Sequence, residues 1–506
     1  MKRRSLSDMV RALGRWFEQR LQLAPVFDAT LGHRIPGDSA SWWYVFGSAT
    51  LMCFVLQLVT GVALMLLYAP SPVEAYSRIA ALDYVHSMGW FVRALHDWGS
   101  NFMVAMITLH VVQVFLFGAF KYPRELTWMV GALLFLAVMG MAFTGQVLRF
   151  DQDAYWGLQI GVSIMSRIPV VGDDLALLVQ GGPIVASATL SRFFALHVFV
   201  IPAAIIGLLV VHFRLVFKIG VNERARPDDV IDEATYAEQY EQIIEQTGIR
   251  FFPDGIWKDL WFSGAVLLAI VCCALLLGPN NPNGPADPAL IETSPRPDFF
   301  FLSLFAVLAL MPPYMEDFVI VVVLPLCVVV FIAIPFIARG RQKHPSRRPG
   351  SVIAVVLVLT MLVVLAVEGV RSPWSPHMTA WSGVPAPVHL IEGRSALERA
   401  GAVVLQSKQC RNCHALDGSG GQRGPDLGDV ATRLTSDQLV RQVLQGGGNM
   451  PAYGHHLSPA EVTALVAYLR TLHPESEPPA EDTGSPREAV RTSALEFPRS
   501  GEARAR

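Results

Sequence analysis

Charge is scarce in this chain: Asp, Glu, Lys and Arg make up 16% of its 506 residues, against 52% apolar residues, and its mean hydropathy is +0.40. Soluble domains carry about 25% charged residues, so the composition excludes an ordinary soluble protein and points to a polytopic membrane protein. A formal net charge of −2 supplies no basic field for a polyanion and excludes a nucleic-acid role. Cysteine is equally sparse. Of the six, Cys53, Cys272, Cys273 and Cys327 lie in apolar stretches and read as small core hydrophobes. Met1 to Pro25 lacks the apolar core of a cleavable signal peptide, so none is expected. Instead, Met9, Val10, Leu13, Trp16, Phe17 and Leu21 among Arg11, Arg15 and Arg20 predict an amphipathic helix over Ser5 to Leu23. It would lie on the membrane surface, a soluble-partner interface being the alternative.

What is plentiful is long apolar runs. Seven can cross about 30 Å of hydrocarbon: Trp42 to Tyr68, Trp90 to Phe120, Leu126 to Leu148, Ser191 to Phe217, Leu260 to Leu277, Phe318 to Ile337 and Val352 to Val370. An odd number puts the termini on opposite sides. Lys2, Arg3, Arg4, Arg11 and Arg15 precede the first run; Lys121 and Arg124 follow the second, Lys218, Arg224 and Arg226 the fourth, and Arg339, Arg341, Lys343, Arg347 and Arg348 the sixth. By the positive-inside rule these segments are cytoplasmic and everything after Val370 is exported. The expected setting is a bacterial cytoplasmic (inner) membrane, with the N-terminus inside.

The expected fold is all-α: a membrane bundle of four spans plus three, with a small exported helical domain. Its expected units are a surface helix and lead-in (1–40), the four-helix core (41–220), a charged cytoplasmic connector (221–257), the three further spans (258–372), a linker (373–390), a soluble module (391–473) and a disordered tail (474–506) rich in Pro, Glu, Ser and Arg. Asp151 to Leu190 and Gly278 to Phe300 are too long for turns and predict packed loops forming a cavity at the exported edge.

Two runs carry spaced histidines, His96 with His110 and His197 with His212. Gaps of fourteen and fifteen residues are close to four helical turns, so each pair shares one helix face about 21–22 Å apart. An unpaired imidazole in hydrocarbon costs roughly 2–7 kcal/mol. A lone one can be a satisfied packing residue, whereas four at matched spacing point to axial ligation of haem iron at two depths. Gly47 and Gly61, and again Gly131 and Gly145, repeat the fourteen-residue period. Without a β-carbon they let a flat ring approach the backbone and read as porphyrin seats; singly, each would be ordinary helix packing of small residues.

Beyond the spans, Cys410-Arg-Asn-Cys413-His414 is a C-x-x-C-H motif, the pattern for covalent haem c attachment with His414 as axial ligand. A redox or zinc C-x-x-C is the alternative, but no second cysteine pair completes a zinc site. Met450, in Gly447-Gly448-Asn449-Met450-Pro451, is the natural sixth ligand, with His455 and His456 as runners-up. Ser395 to Leu405 and Pro459 to Leu472 read as flanking helices.

The seven spans resemble the cytochrome b subunit of quinol:cytochrome c oxidoreductases (the cytochrome bc/bf family), in its shorter chloroplast and cyanobacterial form, followed by that family's separate subunit IV. The stretches that carry this are Trp16-Phe17-Glu18-Gln19-Arg20-Leu21, Pro123-Arg124-Glu125-Leu126-Thr127-Trp128, Ile168-Pro169-Val170-Val171-Gly172, Gly284-Pro285-Ala286-Asp287-Pro288 and the fifteen-residue gap from His197 to His212. The exported module resembles a class I cytochrome c. The resemblance implies that His96 and His197 ligate one haem b near the exported face, that His110 and His212 ligate a second near the cytoplasmic face, and that Arg93 pairs with a propionate. The family's quinol-oxidation motif Pro-Glu-Trp-Tyr stands here as Pro297-Asp298-Phe299-Phe300, keeping a carboxylate and losing Trp and Tyr. Asp298 is thus the candidate proton acceptor, a solvated loop charge being the alternative. The family's Leu-Pro-Trp-Asp-Gln run reads Leu148-Arg149-Phe150-Asp151-Gln152. Val45 stands where chloroplast-type members carry the cysteine of an extra covalent haem, so that haem is not carried over.

The expected function is quinol:cytochrome c oxidoreduction. Quinol, menaquinol or ubiquinol, is oxidised in a cavity lined by Tyr155 to Gly172 and Pro297 to Phe300. One electron goes to a Rieske-type iron-sulfur protein, a separate subunit because no Cys/His pairs remain here for its cluster, and the other crosses two haems b to reduce quinone in an electrogenic, proton-translocating cycle. The haem c then serves a soluble cytochrome, cupredoxin or terminal oxidase. A homodimer follows from the resemblance. The rival reading is a di-haem membrane anchor that conducts electrons between a partner enzyme and the quinone pool; a transporter would leave the histidines and the C-x-x-C-H motif without a role.

Overall fold

The computed structural model describes residues 6–22, 25, 28, 30–182, 185–280, 282, 284–287, 296–311, 313–371, 386–421, 424–446, 450, 452–454 and 456–481. The expected linker, for most of its length, and the tail beyond 481 lie outside them. Helix dominates, and the strands among the described residues form two short ribbons. The first, β1 (Arg34–Ile35) with β2 (Ile249–Arg250), ties the lead-in to the connector.

An amphipathic helix, α1 (Leu6–Leu21), leaves Met9, Leu13, Trp16, Phe17 and Leu21 exposed. The bundle follows: α2 (Phe46–Met65), short α3 (Ala75–Tyr84), α4 (Gly89–Leu116), α5 (Glu125–Leu148), α6 (Gln152–Ser166), α7 (Gly172–Gln180), α8 (Ser187–Ile219), connector helix α9 (Tyr236–Thr247), α10 (Trp257–Leu277), α11 (Phe299–Leu310), α12 (Met315–Ile337) and α13 (Pro349–Arg371). Seven of these, α2, α4, α5, α8, α10, α12 and α13, are long and apolar enough to cross a membrane. They keep much of their apolar surface outward because hydrocarbon, not water, surrounds such a bundle. That reverses the expectation for two cysteines: Cys53 is buried, but Cys272 and Cys327 are exposed on the outer face, since apolar sequence alone does not separate core from lipid-facing positions.

The stretch expected as a packed loop after α5 folds as two helices, α6 and α7. Asp151 starts α6 by accepting the Ala154 N–H at 2.8 Å, a side-chain cap on an otherwise orphan donor.

At the opposite end, where the basic residues cluster, three buried cations close the C-termini of helices to which they do not belong. Arg348 donates to the Phe115 and Leu116 carbonyls at the end of α4. Arg124 reaches the Gly220 and Val221 carbonyls after α8. Lys121 reaches Ala338 and Gly340 after α12. Each satisfies carbonyls that a helix end leaves unpaired and meets the negative end of its dipole. Glu223 joins them, paired with Lys343 and accepting the Tyr236 hydroxyl at 2.7 Å. Lys343 holds Glu223 below the usual carboxylate range although burial opposes it, and burial pushes Lys343 itself down to about 8.

The C-terminal module packs α14 (Ala396–Ser407), α15 (Val430–Arg433), α16 (Ser436–Gln445) and α17 (Pro459–Leu469) around its own core of Leu405, Leu416, Leu439, Leu465 and Tyr468. Capping boxes start three of these helices: Ser395 with Glu398, Thr435 with Gln438, and Ser458 with Glu461. A second ribbon, β3 (Ala415–Leu416) with β4 (Ser419–Gly420), follows the cysteines.

Candidate functional site

The four glycines and four histidines meet one to one. A β-carbon built on Gly47 would lie 3.2 Å from the His110 ring, on Gly61 3.2 Å from His96, on Gly131 3.5 Å from His212 and on Gly145 2.7 Å from His197. This is the register of two antiparallel helix pairs, α2 with α4 and α5 with α8. What each glycine admits is therefore, in the first place, an imidazole.

The unequal gaps have a local cause. Pro202 lacks an N–H and its ring crowds the carbonyl four residues back, and α8 widens over Leu196–Val200 into a π-turn that contains His197. A π-turn absorbs one extra residue, so fifteen residues in α8 cover what fourteen cover in α4.

His96 faces His197 with ring centroids 6.4 Å apart and planes at 74°. The Thr60 hydroxyl donates to the Leu56 carbonyl at 2.7 Å, so it accepts from His96 Nδ1 at 2.8 Å. Thr144 donates likewise to Gly140 and Met141, and His197 Nδ1 lies 3.1 Å from both the Thr144 hydroxyl and the Met141 carbonyl. This network assigns the proton to Nδ1 on both rings and leaves each Nε2 lone pair free. Two facing imidazoles with free Nε2 lone pairs are the donors that would hold a haem iron between them. At the other level, His110 Nδ1 is buried without a partner, and His212 Nδ1 turns towards the Thr127 backbone without closing a normal hydrogen bond. The facing pair His96 and His197, and the glycine-backed His110 and His212 with their unpaired Nδ1 atoms, fit a haem at each level.

Arg93 gives its fork to Asp83, at 2.7 and 2.6 Å, and Nη1 to the Asn280 carbonyl at 3.0 Å; a propionate role for it rests on the resemblance alone. Val45 is buried and brings no thiol. One residue passed over in the sequence is Asp259, a carboxylate inside span α10 that accepts from Ser48, next to Gly47. A lone acid in an apolar helix was the available signal.

At the His96 and His197 end, Pro297, Asp298, Phe299 and Phe300 lead into α11. Asp298 Oδ1 accepts from Arg149 Nη1 at 3.0 Å, and Arg149 Nε lies 3.5 Å from Asp151. Burial raises the Asp298 carboxyl above its ordinary value, with Arg149 pulling it back. Tyr155 sits on α6 just beyond, its ring edge-on to Phe150 and its hydroxyl accepting from Gln159 at 3.1 Å. Three buried donors in this corner, Gln146 Nε2, Arg149 Nε and Trp156 Nε1, have no hydrogen-bond partner. The loop is thus joined to the α5–α6 corner by an ion pair.

In the C-terminal module, His414 Nδ1 donates to the Pro425 carbonyl at 2.8 Å, which again leaves Nε2 available, and Gly424 packs against that ring. Burial pushes the Cys410 thiol up to about 11, unlike the depressed thiol of a redox C-x-x-C. Among the described residues no group of three His, Cys, Asp or Glu side chains is placed to hold a metal ion. Met450 Sδ accepts from Gln442 at 3.5 Å. Its neighbours 447–449 and 451, and His455, lie outside the described residues, and His456 offers its carbonyl to Lys408.

Facing intramembrane histidines and a C-x-x-C-H module define a membrane cytochrome. A family model described as Cytochrome b/b6/petB matches residues 33–220, one described as Cytochrome b(C-terminal)/b6/petD matches 285–385, and one described as Cytochrome C oxidase, cbb3-type, subunit III matches 396–469. The chain is 30% identical over 381 residues to cytochrome b of Allochromatium vinosum, covering 73% of this chain and 90% of that protein. It is 39% identical over 207 residues to cytochrome b6 of Synechococcus elongatus, 41% of this chain and 96% of that one. The fold is similar to a hyperthermophilic respiratory Complex III chain, with a TM-score of 0.58, 22% identity and coverage of 71% of this chain and 92% of that one. The chain belongs to the cytochrome b family, and carries a cytochrome c domain fused to its end.

Proposed function

We propose that this chain is the cytochrome b–c subunit of a respiratory or photosynthetic quinol:cytochrome c (or cupredoxin) oxidoreductase. It oxidises quinol at the exported face, divides the electrons between a Rieske-type iron-sulfur subunit and its own b-type centre, and reduces quinone at the cytoplasmic face. Two haems b, at His96/His197 and His110/His212, and one haem c, on Cys410, Cys413 and His414 with Met450, supply the one-electron carriers when bound. Asp298 takes the proton from the quinol hydroxyl, and Pro297, Phe299, Phe300 and Tyr155 line the site. Release of protons outside and uptake inside make the cycle electrogenic, worth about 2.3 kcal/mol per charge per 100 mV.

The observation that carries this reading is the Asp298–Arg149 pair at the end where His96 faces His197: a pure electron-conducting anchor has no use for a half-buried carboxylate there. The orientation follows the basic end, which faces the cytoplasm and leaves the cytochrome c domain exported. A soluble cytochrome c, a cupredoxin or a terminal oxidase receives the electron, and the complex is a homodimer within lipid that also supplies menaquinone or ubiquinone. The test is oxidant-induced reduction of haem b in the purified complex with the cytoplasmic site blocked by an antimycin-like inhibitor. Reduction is expected; its absence leaves the anchor.

A further inference from the structure

We propose that Arg149 is a positioning residue for quinol oxidation, clamping one oxygen of Asp298 so that the other is presented, ionised, to the quinol hydroxyl. The inference rests on the reading of Asp298 as proton acceptor and goes beyond it, since nothing in the sequence pattern gives Arg149 a part.

The geometry is specific. Arg149 Nη1 donates to Asp298 Oδ1 at 3.0 Å, with the two side chains 20% and 27% exposed, so the pair is only partly screened by water. That contact leaves Oδ2 for the substrate. The same guanidinium lies 3.5 Å from Asp151, whose carboxylate also caps α6. Arg149 therefore spans the two walls of the site, the loop before α11 and the corner where α5 gives way to α6. Two other carboxylates act on Asp298, Asp151 from that corner and Asp97 from α4; Asp97 is itself held by the Asn280 N–H at 2.9 Å. Three acids thus share one arginine. Without it, burial and like charge would favour a protonated Asp298, which is no base.

The step balances simply. The quinol O–H bond breaks, its proton forms a new O–H bond on Asp298 Oδ2, and the quinol anion keeps the electron pair of the broken bond. The Arg149–Asp298 contact then changes from ion pair to neutral hydrogen bond, while Asp151 still holds the guanidinium.

The test is a pH titration of the complete complex, read by infrared difference spectroscopy of the protonated carboxyl band that Asp298→Asn removes, and in parallel by the acid limb of kcat/KM. Arg149→Gln is expected to move both upward by about 1 pH unit or more, the shift an opposite charge at this range produces. Arg149→Lys, which keeps the charge, is expected to stay near wild type, and Asp151→Asn, which keeps the cap, to move both downward. An Arg149→Gln profile that loses rate equally at all pH values with the carboxyl titration unmoved overturns the proposal and makes Arg149 merely structural. If Arg149→Gln does not assemble, an unmoved titration in Asp151→Asn overturns it instead. If Asp298→Asn itself leaves the acid limb in place, it is the reading of Asp298 that fails.

Discussion

Replacing Gly145 with Ala probes the helix pairs most sharply, because the same change at Gly131 is its control. An added β-carbon at Gly145 would stand 2.7 Å from His197 Cε1, where ordinary contact begins at 3.4 Å, so the ring or the helix must retreat by about 0.7 Å. His197 Nδ1 is already tied to the Thr144 hydroxyl and the Met141 carbonyl, so the imidazole cannot turn without losing them. Overpacking of this kind costs about 1–3 kcal/mol, and helix propensity returns no more than about 1 kcal/mol for Gly to Ala. At Gly131 the new carbon would lie 3.5 Å from His212, an ordinary contact, and propensity alone remains. Gly145→Ala is therefore expected to lose or disturb the b-type haem at His197, while Gly131→Ala keeps both haems and is at least as stable as wild type. Gly47→Ala and Gly61→Ala, at 3.2 Å each, should fall between. The assays are pyridine haemochrome content, redox titration of the b-type signals and thermal stability in detergent. Equal behaviour of Gly145→Ala and Gly131→Ala would refute the packing argument.

Thr60→Val removes the acceptor for the His96 Nδ1 proton at similar volume. A less basic imidazole should raise the midpoint of that haem, and an unchanged redox titration would remove Thr60 from its control. Met450→Ala should lower the haem c midpoint markedly, and if the potential does not move, another side chain is the sixth ligand. Glu223→Gln should destabilise the membrane part by about 3–5 kcal/mol by leaving Lys343 uncompensated, with Lys343→Met in the same chain recovering much of it; melting curves that show no such recovery would argue against coupling. Because Glu223 is held below its ordinary value, its contribution is complete above the ordinary glutamate pKa and is lost as the pH falls through the lower folded value, so the stability difference between wild type and Glu223→Gln should shrink in acid.

The seven spans were legible because apolar runs of that length have one use. So were the histidine and glycine spacings and the C-x-x-C-H motif, whose chemistry is local. The π-turn explains a gap that the sequence shows only as a number; Pro202, five residues after His197, was its visible cause. Helices α6 and α7 were hidden by Gly157 and Gly161 within the first and by Pro169 and Pro183 beside them. Contacts between residues far apart in the chain left no periodic trace: the Arg149–Asp298 pair joins positions 149 residues apart. The Lys and Arg residues were read for membrane orientation, but a charge count does not say which carbonyls a buried cation will meet.

Those crosswise caps bear on how the polypeptide can be divided. Arg348 on α4, Lys121 on α12 and Lys343 on Glu223 fasten the first four spans to the last three without relying on the peptide bonds between them. A backbone cut in the connector near Pro227 to Thr235 would leave every one of these links in place. The first four spans and the last three would then stay joined as two separate polypeptides.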